Sequence, residues 1–351
     1  MPRSLIPVVE ELSPEALTVL AQTISPNDQG MLKWDAFFPR EDVDSVDLRE
    51  ITTLDFRPVS GRRQWNSPGR LIPDMTPDLR DLSIIPVEGY YKWGEYEIQK
   101  MRERTRGVNG ATLDQIIGLT IPKKVTQITE ANYRRIEVDA MSAWALGIVT
   151  VRNPQTNESH TVSFQFDSAR ITTAATAWDD PSVDAYAEFI AWLEDAVDYV
   201  GPIQGTVMRL SLLRVIQEDA PDLPSGEPMT RGDLPERVSK DIGRPFTFFL
   251  FDDTVDDFTD GGVVTASTNV WPAGRVAAVP QDGRVGRTAF APVERAMDLV
   301  ASLPNAGIDE RGMTVFYDEA QTGKELKVEV QCNPFTIPNE QRVFVKNTGV
   351  A

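Results

Sequence analysis

The densest cluster of chemically capable side chains in this chain is the run Phe251-Asp252-Asp253-Thr254-Val255-Asp256-Asp257-Phe258-Thr259-Asp260. Its carboxylates suit a hard cation such as calcium or magnesium, which takes oxygen ligands. Two of them held about 5 to 10 Å apart across a cleft would suit acid–base cleavage of a glycoside. The spacing favours neither. The run lacks the ordered ligand positions and closing glutamate of a helix–loop–helix calcium site, and neighbours in sequence make no cleft. A solvated turn accounts for it more simply. Asp179-Asp180 reads as helix capping, with Asp180 accepting from free amides and Pro181 in the first turn.

Nucleophiles and soft ligands are scarce, with one histidine and one cysteine in 351 residues. His160 stands at the entry to a strand, without a sequence companion for a zinc site or a catalytic triad. Cys332 falls in an alternating strand pattern and reads as a buried small hydrophobe; a single cysteine excludes an internal disulfide framework. Thr322-Gly323-Lys324 lacks the glycine framework and following hydroxyl of a phosphate loop, and Gly283 and Gly286 read as a turn between strands. No catalytic, cofactor-binding or metal-binding residue is assigned, and no cofactor is expected. An acidic carbohydrate-active or metal-dependent enzyme is the alternative, and it would rest on the aspartate run alone.

The second cluster is suited to contact rather than catalysis. Residues 49 to 93 carry Arg49, Arg57, Arg62, Arg63, Arg70 and Arg80 among Pro58, Pro68, Pro73, Pro77 and Pro86, so the backbone is repeatedly denied helix hydrogen bonds and held near extended geometry. Apolar side chains such as Phe56, Trp65, Leu71, Ile72, Tyr90, Tyr91 and Trp93 would be costly on a free loop. The reading is a projecting loop whose partner is another subunit, with Arg57, Arg62, Arg63, Trp65, Arg70, Arg80, Tyr91 and Trp93 as candidate inter-subunit contacts. An excursion over its own domain and a lid are the alternatives. Nucleic-acid binding fits less well: Asp47, Asp55, Asp74, Asp78 and Asp81 interrupt the positive field, and the whole chain carries a net charge of -18.

The elements that must position these residues follow from punctuation and period. The chain is long enough for about two domains, and 41% hydrophobic residues furnish a sizeable core. The N-terminus lacks the order of a secretory signal, and no apolar stretch approaches a membrane span, so no membrane association is expected. Ser13 to Leu20 reads as a short helix opened by Pro14 within an arm. Residues 51 to 59 and 82 to 87 read as strands of a long hairpin, and 94 to 106 as an exposed charged helix. A longer helix is expected over 126 to 146, presenting Ala131, Val138, Met141 and Ala145 with the stem of Arg134, with Met141 and Trp144 as packing residues. A hairpin follows over 148 to 166. Val183, Tyr186, Ile190, Leu193, Val197 and Val200 mark the clearest amphipathic helix, ended by Gly201-Pro202. Period alone leaves 206 to 216 open between strand and helix. A short helix at 233 to 241 and strands at 244 to 251, 263 to 266 and 275 to 279 come next, and the strands 313 to 317, 324 to 332 and 341 to 346 close the chain. The expected class is α+β, with the last strands completing the sheet of residues 94 to 178 around an inserted domain.

In this order the chain resembles the major capsid proteins of tailed bacteriophages, particularly the lambda-type major head protein family. The fragments that carry the resemblance are Tyr96-Glu97-Ile98-Gln99-Lys100-Met101-Arg102, Asp180-Pro181, Phe246 to Phe251, Trp271-Pro272-Ala273-Gly274-Arg275-Val276, Gly286-Arg287-Thr288, Asn333-Pro334-Phe335 and Asn339-Glu340-Gln341-Arg342-Val343-Phe344-Val345. The resemblance implies the capsid fold named for phage Hong Kong 97: an N-terminal arm at 1 to 50, an extended loop at 51 to 93, a peripheral domain at 94 to 178 and 310 to 351 containing a spine helix, and an axial domain at 179 to 309. It further implies self-assembly into hexamers and pentamers of an icosahedral shell, with scaffolding and portal proteins and a decoration protein near Arg62 to Arg70 as partners. The shell would enclose double-stranded DNA without sequence-specific binding, in a virion assembled in the host cytoplasm. Some related shells form lysine–asparagine crosslinks, for which Lys92 with a distal asparagine is the nominal pair here, although no sequence signature assigns it. A structural polymer outside it remains the alternative reading.

Overall fold

A computed structural model describes residues 13–24, 33–45, 47–52, 78–84, 86–94, 96, 100, 103, 113–152, 159–223, 226–258, 264–294, 296–297, 308–319 and 326–350. In chain order the first elements are helix α1 (Pro14–Thr23), the single turn α2 (Trp34–Phe37), and strands β1 (Arg40–Asp42), β2 (Asp47–Thr52), β3 (Asp78–Ser83) and β4 (Val87–Trp93). The long helix α3 (Leu113–Leu146) follows, then β5 (Ile148–Arg152), β6 (Ser159–Ser163) and β7 (Ile171–Thr173). Helix α4 (Ala185–Val200) leads to β8 (Ile203–Met208), α5 (Leu210–Glu218), α6 (Leu234–Asp241), β9 (Thr247–Leu250), β10 (Thr254–Phe258), β11 (Val264–Asn269), β12 (Arg275–Pro280) and β13 (Gly286–Ala291). Strands β14 (Thr314–Glu319), β15 (Leu326–Pro338) and β16 (Val345–Asn347) complete the chain, with a 3-10 turn at Glu340–Arg342 before the last.

Two five-stranded sheets organise the molecule. In the first, β15 is long enough to serve two neighbourhoods: its first half lies between β4 and β14, and its second half pairs with β13, which takes β1 in parallel on its other side. The second runs β7-β16-β12-β8-β9. The chain therefore crosses between sheets more often than one inserted domain requires. Strand β13, within the expected axial segment, belongs to the first sheet, and β16, within the expected peripheral segment, belongs to the second. Among the described residues, three two-stranded ribbons pair with neither sheet: β2–β3, β5–β6 and β10–β11.

Local rules hold at several elements. Ser13 caps α1, its hydroxyl accepting from the Ala16 amide at 3.2 Å, with Pro14 in the first turn. Residues 203 to 218 resolve into strand β8 and helix α5, and the hairpin β5–β6 forms. At α4 the cap is Asp184, which accepts from the Ala187 amide at 2.8 Å, and Gly201 closes the helix with φ 79°. Asp180, expected there, instead accepts from the Ser182 amide and hydroxyl, which hold its carboxyl below the usual range. The helix starts later because the Ala185 amide finds a second carboxylate, Asp219, at 2.8 Å.

Helix α3 begins 13 residues before the expected start, passes through Pro122, and at 34 residues runs about 50 Å. Proline costs the helix a hydrogen bond, yet Ile121 and Val125 on either side are buried in the main core, and that burial outweighs the local preference. Of the expected face, Met141 and Ala145 are buried and Val138 packs against the core, but Ala131 and Arg134 are exposed; the buried stripe also takes in Val125, Ile128, Asn132, Ile136, Ala140 and Trp144. Polar residues within the stripe disguised it in the sequence. Asn132 is accommodated because its amide donates to the Val330 carbonyl at 3.0 Å.

One core joins α1, α2, α3 and β4 to β14 and β15, so the sections flanking the middle of the chain share it, and it extends to Val207, Ala277, Val279 and Val345 of the second sheet. Part of the first 50 residues is thus packed rather than free: Leu17, Ala21, Trp34, Phe37 and Phe38 lie in this core. A second core lies around α4, with Phe189, Trp192 and Leu193 against Phe246 and Phe344. Among the described residues no helix is long and apolar enough to cross a membrane.

Candidate inter-subunit surface

Strand β4 carries the end of the arginine- and aromatic-rich segment back to the body, and its alternation decides which side chains it offers outward. Its unbroken register with β15 sets Val87 against Cys332, Gly89 against Val330, Tyr91 against Val328 and Trp93 against Leu326. This set faces α3. The helix comes so close at Gly89 that a Cβ there would lie 2.6 Å from Ile128 Cγ2, which is why the position is glycine. Trp93 is only 4% exposed and belongs to the main core; Tyr91 is half-buried, its ring 4.6 Å from that of Trp93 and 4.4 Å from Lys124 Nζ.

The opposite parity, Glu88, Tyr90 and Lys92, is exposed. Tyr90 is 51% exposed, the Lys327 ammonium sits 4.6 Å from its ring centroid, and that lysine also reaches Glu329 at 2.7 Å and Glu88 at 3.7 Å. Glu329 is buried, whereas the Glu88 contact is partly exposed and a pair of that kind contributes about 0–1 kcal/mol, so Lys327 serves mainly to orient the tyrosine. Across the same face, Phe316 of β14 is covered by Val293 and Ala296, which leaves the face open on the β4 side. An oriented, half-exposed tyrosine within a rim of charges has the composition of a contact anchor.

The structure treats the candidate residues unequally. Arg57, Arg62, Arg63, Trp65 and Arg70 lie outside the described residues. Arg80 lies in β3 at the register position paired with Glu50, as Arg49 is paired with Asp81. Trp93 packs inside its own chain, which removes it as a projecting contact, and Tyr91 is turned the same way. Tyr90, between them in sequence, is the exposed aromatic of the strand. The signal that would have found it is strand parity, readable once one position of β4 is known to be buried.

Replacing Tyr90 by alanine is expected to leave unfolding free energy within about 0.5 kcal/mol of the parent while reducing assembly. Tyr91→Ala is expected to cost about 1.5–3 kcal/mol, since it removes packed aromatic surface. Urea titration of isolated subunits separates the two; a Tyr90→Ala cost as large as that of Tyr91→Ala would place Tyr90 in the intrachain packing instead.

The aspartate run has a structural role. Asp252 accepts from the first amide of α5, that of Leu210, at 2.9 Å, and Asp256 of β10 accepts from the Ser267 hydroxyl of β11 at 2.5 Å. Among the described residues no group of three or more histidine, cysteine, aspartate or glutamate side chains is placed to hold a metal ion. His160 lies in β6 opposite Val151, and Cys332 is fully buried in β15, its thiol pushed up by that burial.

No protein-family model and no curated protein matches the chain. Among solved structures it is similar to one described as the capsid protein of a prophage in E. coli CFT073, with TM-score 0.56 and 13% identity over 98% of this chain and 99% of that one. A phage-related protein from Bordetella bronchiseptica RB50 aligns at TM-score 0.48 and 10% identity over 95% and 96% of the two chains. The capsid of Myoviridae phage XM1 aligns at TM-score 0.45 and 12% identity over 86% and 85%. The chain has the α+β fold of the first of these from end to end, the Hong Kong 97 type expected above.

Proposed function

We propose that this chain is the major capsid subunit of a tailed bacteriophage, assembling into hexamers and pentamers of an icosahedral shell around double-stranded DNA. The observation that carries the reading is the likeness in fold to a prophage capsid protein over 98% of the chain, with no large part left over for another activity. In this reading α3 is the spine, the first sheet is the body of the peripheral domain, the second sheet with α4 to α6 is the axial domain, and residues 51 to 93 form the extended loop. The β2–β3 ribbon supports the last assignment. An isolated two-stranded hairpin is marginal in water, and this one carries a connecting segment with four arginines and a tryptophan.

Each subunit makes weak contacts with several neighbours, and closure of the shell multiplies them, so no single contact has to be strong. Four arginines against two aspartates in residues 53 to 77, in a chain of net charge -18, favour association of the loop with the acidic body of a neighbour. The same negative charge keeps the wall from adhering to packed DNA. The chain turns over no substrate; scaffolding, portal and decoration proteins are its further partners, and its site is the virion.

Expression alone and with a scaffolding protein, followed by electron microscopy and mass measurement, tests this. Hexamers, pentamers or closed shells are the expected products. A monomer that persists under all assembly conditions, or a linear polymer, would overturn the proposal.

A further inference from the structure

Glu137 lies in the C-terminal third of α3 and is 2% exposed, and its Oε1 accepts from the backbone N–H of Lys33 at 2.7 Å. Lys33 extends its ammonium the other way, donating to the Leu250 carbonyl at the end of β9 at 2.9 Å and lying 4.7 Å from the Phe251 ring centroid. One residue therefore ties three elements together. Its own segment continues into α2, where Trp34 and Phe37 are buried, and the next residue, Phe38, is buried as well.

Three charged groups face Glu137: Lys33 and Asp35 from the N-terminal segment, and Asp253 from the turn after β9. Burial, the largest influence, pushes its carboxyl up to about 7; the Lys33 amide and ammonium pull it down, and the two aspartates push it up. An ionised carboxylate at 2% exposure, with the Lys33 amide as its donor among the described residues, is poorly solvated, and lifting the Lys33 segment would admit water to it.

We propose that Lys33, Glu137 and the Leu250 carbonyl form a proton-operated clasp joining the N-terminal segment, the long helix and the end of β9, closed while Glu137 is protonated and loosened when it ionises. The sign follows from proton binding. The lifted carboxyl titrates near its ordinary 4.5 and the closed one near 7, so between these values the closed form holds more protons. Opening becomes easier as pH rises through that window and levels off above about 7.

Hydrogen exchange of the full-length subunit, read on a peptide covering residues 33 to 38 and corrected for intrinsic exchange, measures the opening. Protection is expected to fall on the order of 100-fold between pH 4.5 and 7 and then to level. Glu137→Gln should remove the step. Asp253→Asn, which takes away a negative neighbour on the surface, should move the end of the step to lower pH. A peptide within α4 serves as the control for global unfolding and should show no step. A flat wild-type profile, an equal step in Glu137→Gln, or the same step in α4 would each overturn the clasp. Isolated subunits suffice, so the outcome is independent of whether the chain forms shells.

Discussion

Joining Thr52 to Asp78 through an Asn-Gly turn, in place of residues 53 to 77, is expected to abolish shell formation while the subunit still unfolds cooperatively. Thr52 and Asp78 are the last paired positions of the β2–β3 ribbon, so a two-residue turn closes the hairpin without disturbing its register. Among the described residues, the pairings of both five-stranded sheets lie outside the replaced segment. Shortening a 25-residue connection to two also lowers the entropy of the unfolded chain, which favours folding by about 2 kcal/mol. The assembly loss comes from removing Arg57, Arg62, Arg63, Trp65 and Arg70 together, and shell yield should drop at least about tenfold, since closure compounds the loss at every contact. Sedimentation and electron microscopy read the yield, and thermal unfolding reads the fold. Equal loss of both would assign the segment to the core, and normal shells would remove it from the interface.

The largest effect on folding is expected at Trp144. This fully buried residue of α3 has its ring 5.1 Å from Phe37, 6.0 Å from Phe38 and 5.4 Å from Trp271, and Phe251 lies 6.3 Å from Trp271. The N-terminal segment and the approach to β12 therefore meet the long helix on one ring, and the end of β9 joins them through Trp271. Trp144→Ala removes the common surface and leaves a cavity that the separate elements around it cannot all move to fill, at a cost of about 3–5 kcal/mol. That is a large fraction of the stability of an ordinary domain, so soluble yield should fall steeply, and any folded fraction should unfold at markedly lower urea. Trp144→Phe, which keeps a ring in place, should recover more than half of the loss. A Trp144→Ala cost below about 1 kcal/mol would show that the two sheets are held together elsewhere.

What could be read along the chain was whatever nearest neighbours decide. Ser13 and Pro14 open α1, Gly201 closes α4, the hairpin at β5–β6 forms, and the alternation around Cys332 marks β15, because caps, turns and strand period depend on a few adjacent residues. The ordered fragments quoted for the family were enough to anticipate the fold. The tertiary structure decided every question of facing and partnership. Alternation along β4 shows that Tyr90 and Tyr91 point opposite ways, but only the approach of α3 at Gly89 determines that Tyr91 goes inward and Tyr90 outward. The true face of α3 contains Asn132 and Glu137, whose burial depends on the Val330 carbonyl and the Lys33 amide far away in sequence, so no local hydrophobic pattern could reveal it. The same holds for β13 and β16. A strand was expected near β16 but not at β13, whose Gly286 reads as a turn, and the sheet each one joins is set by long-range pairing, since hydrogen bonds between strands carry no trace in the sequence of either strand alone.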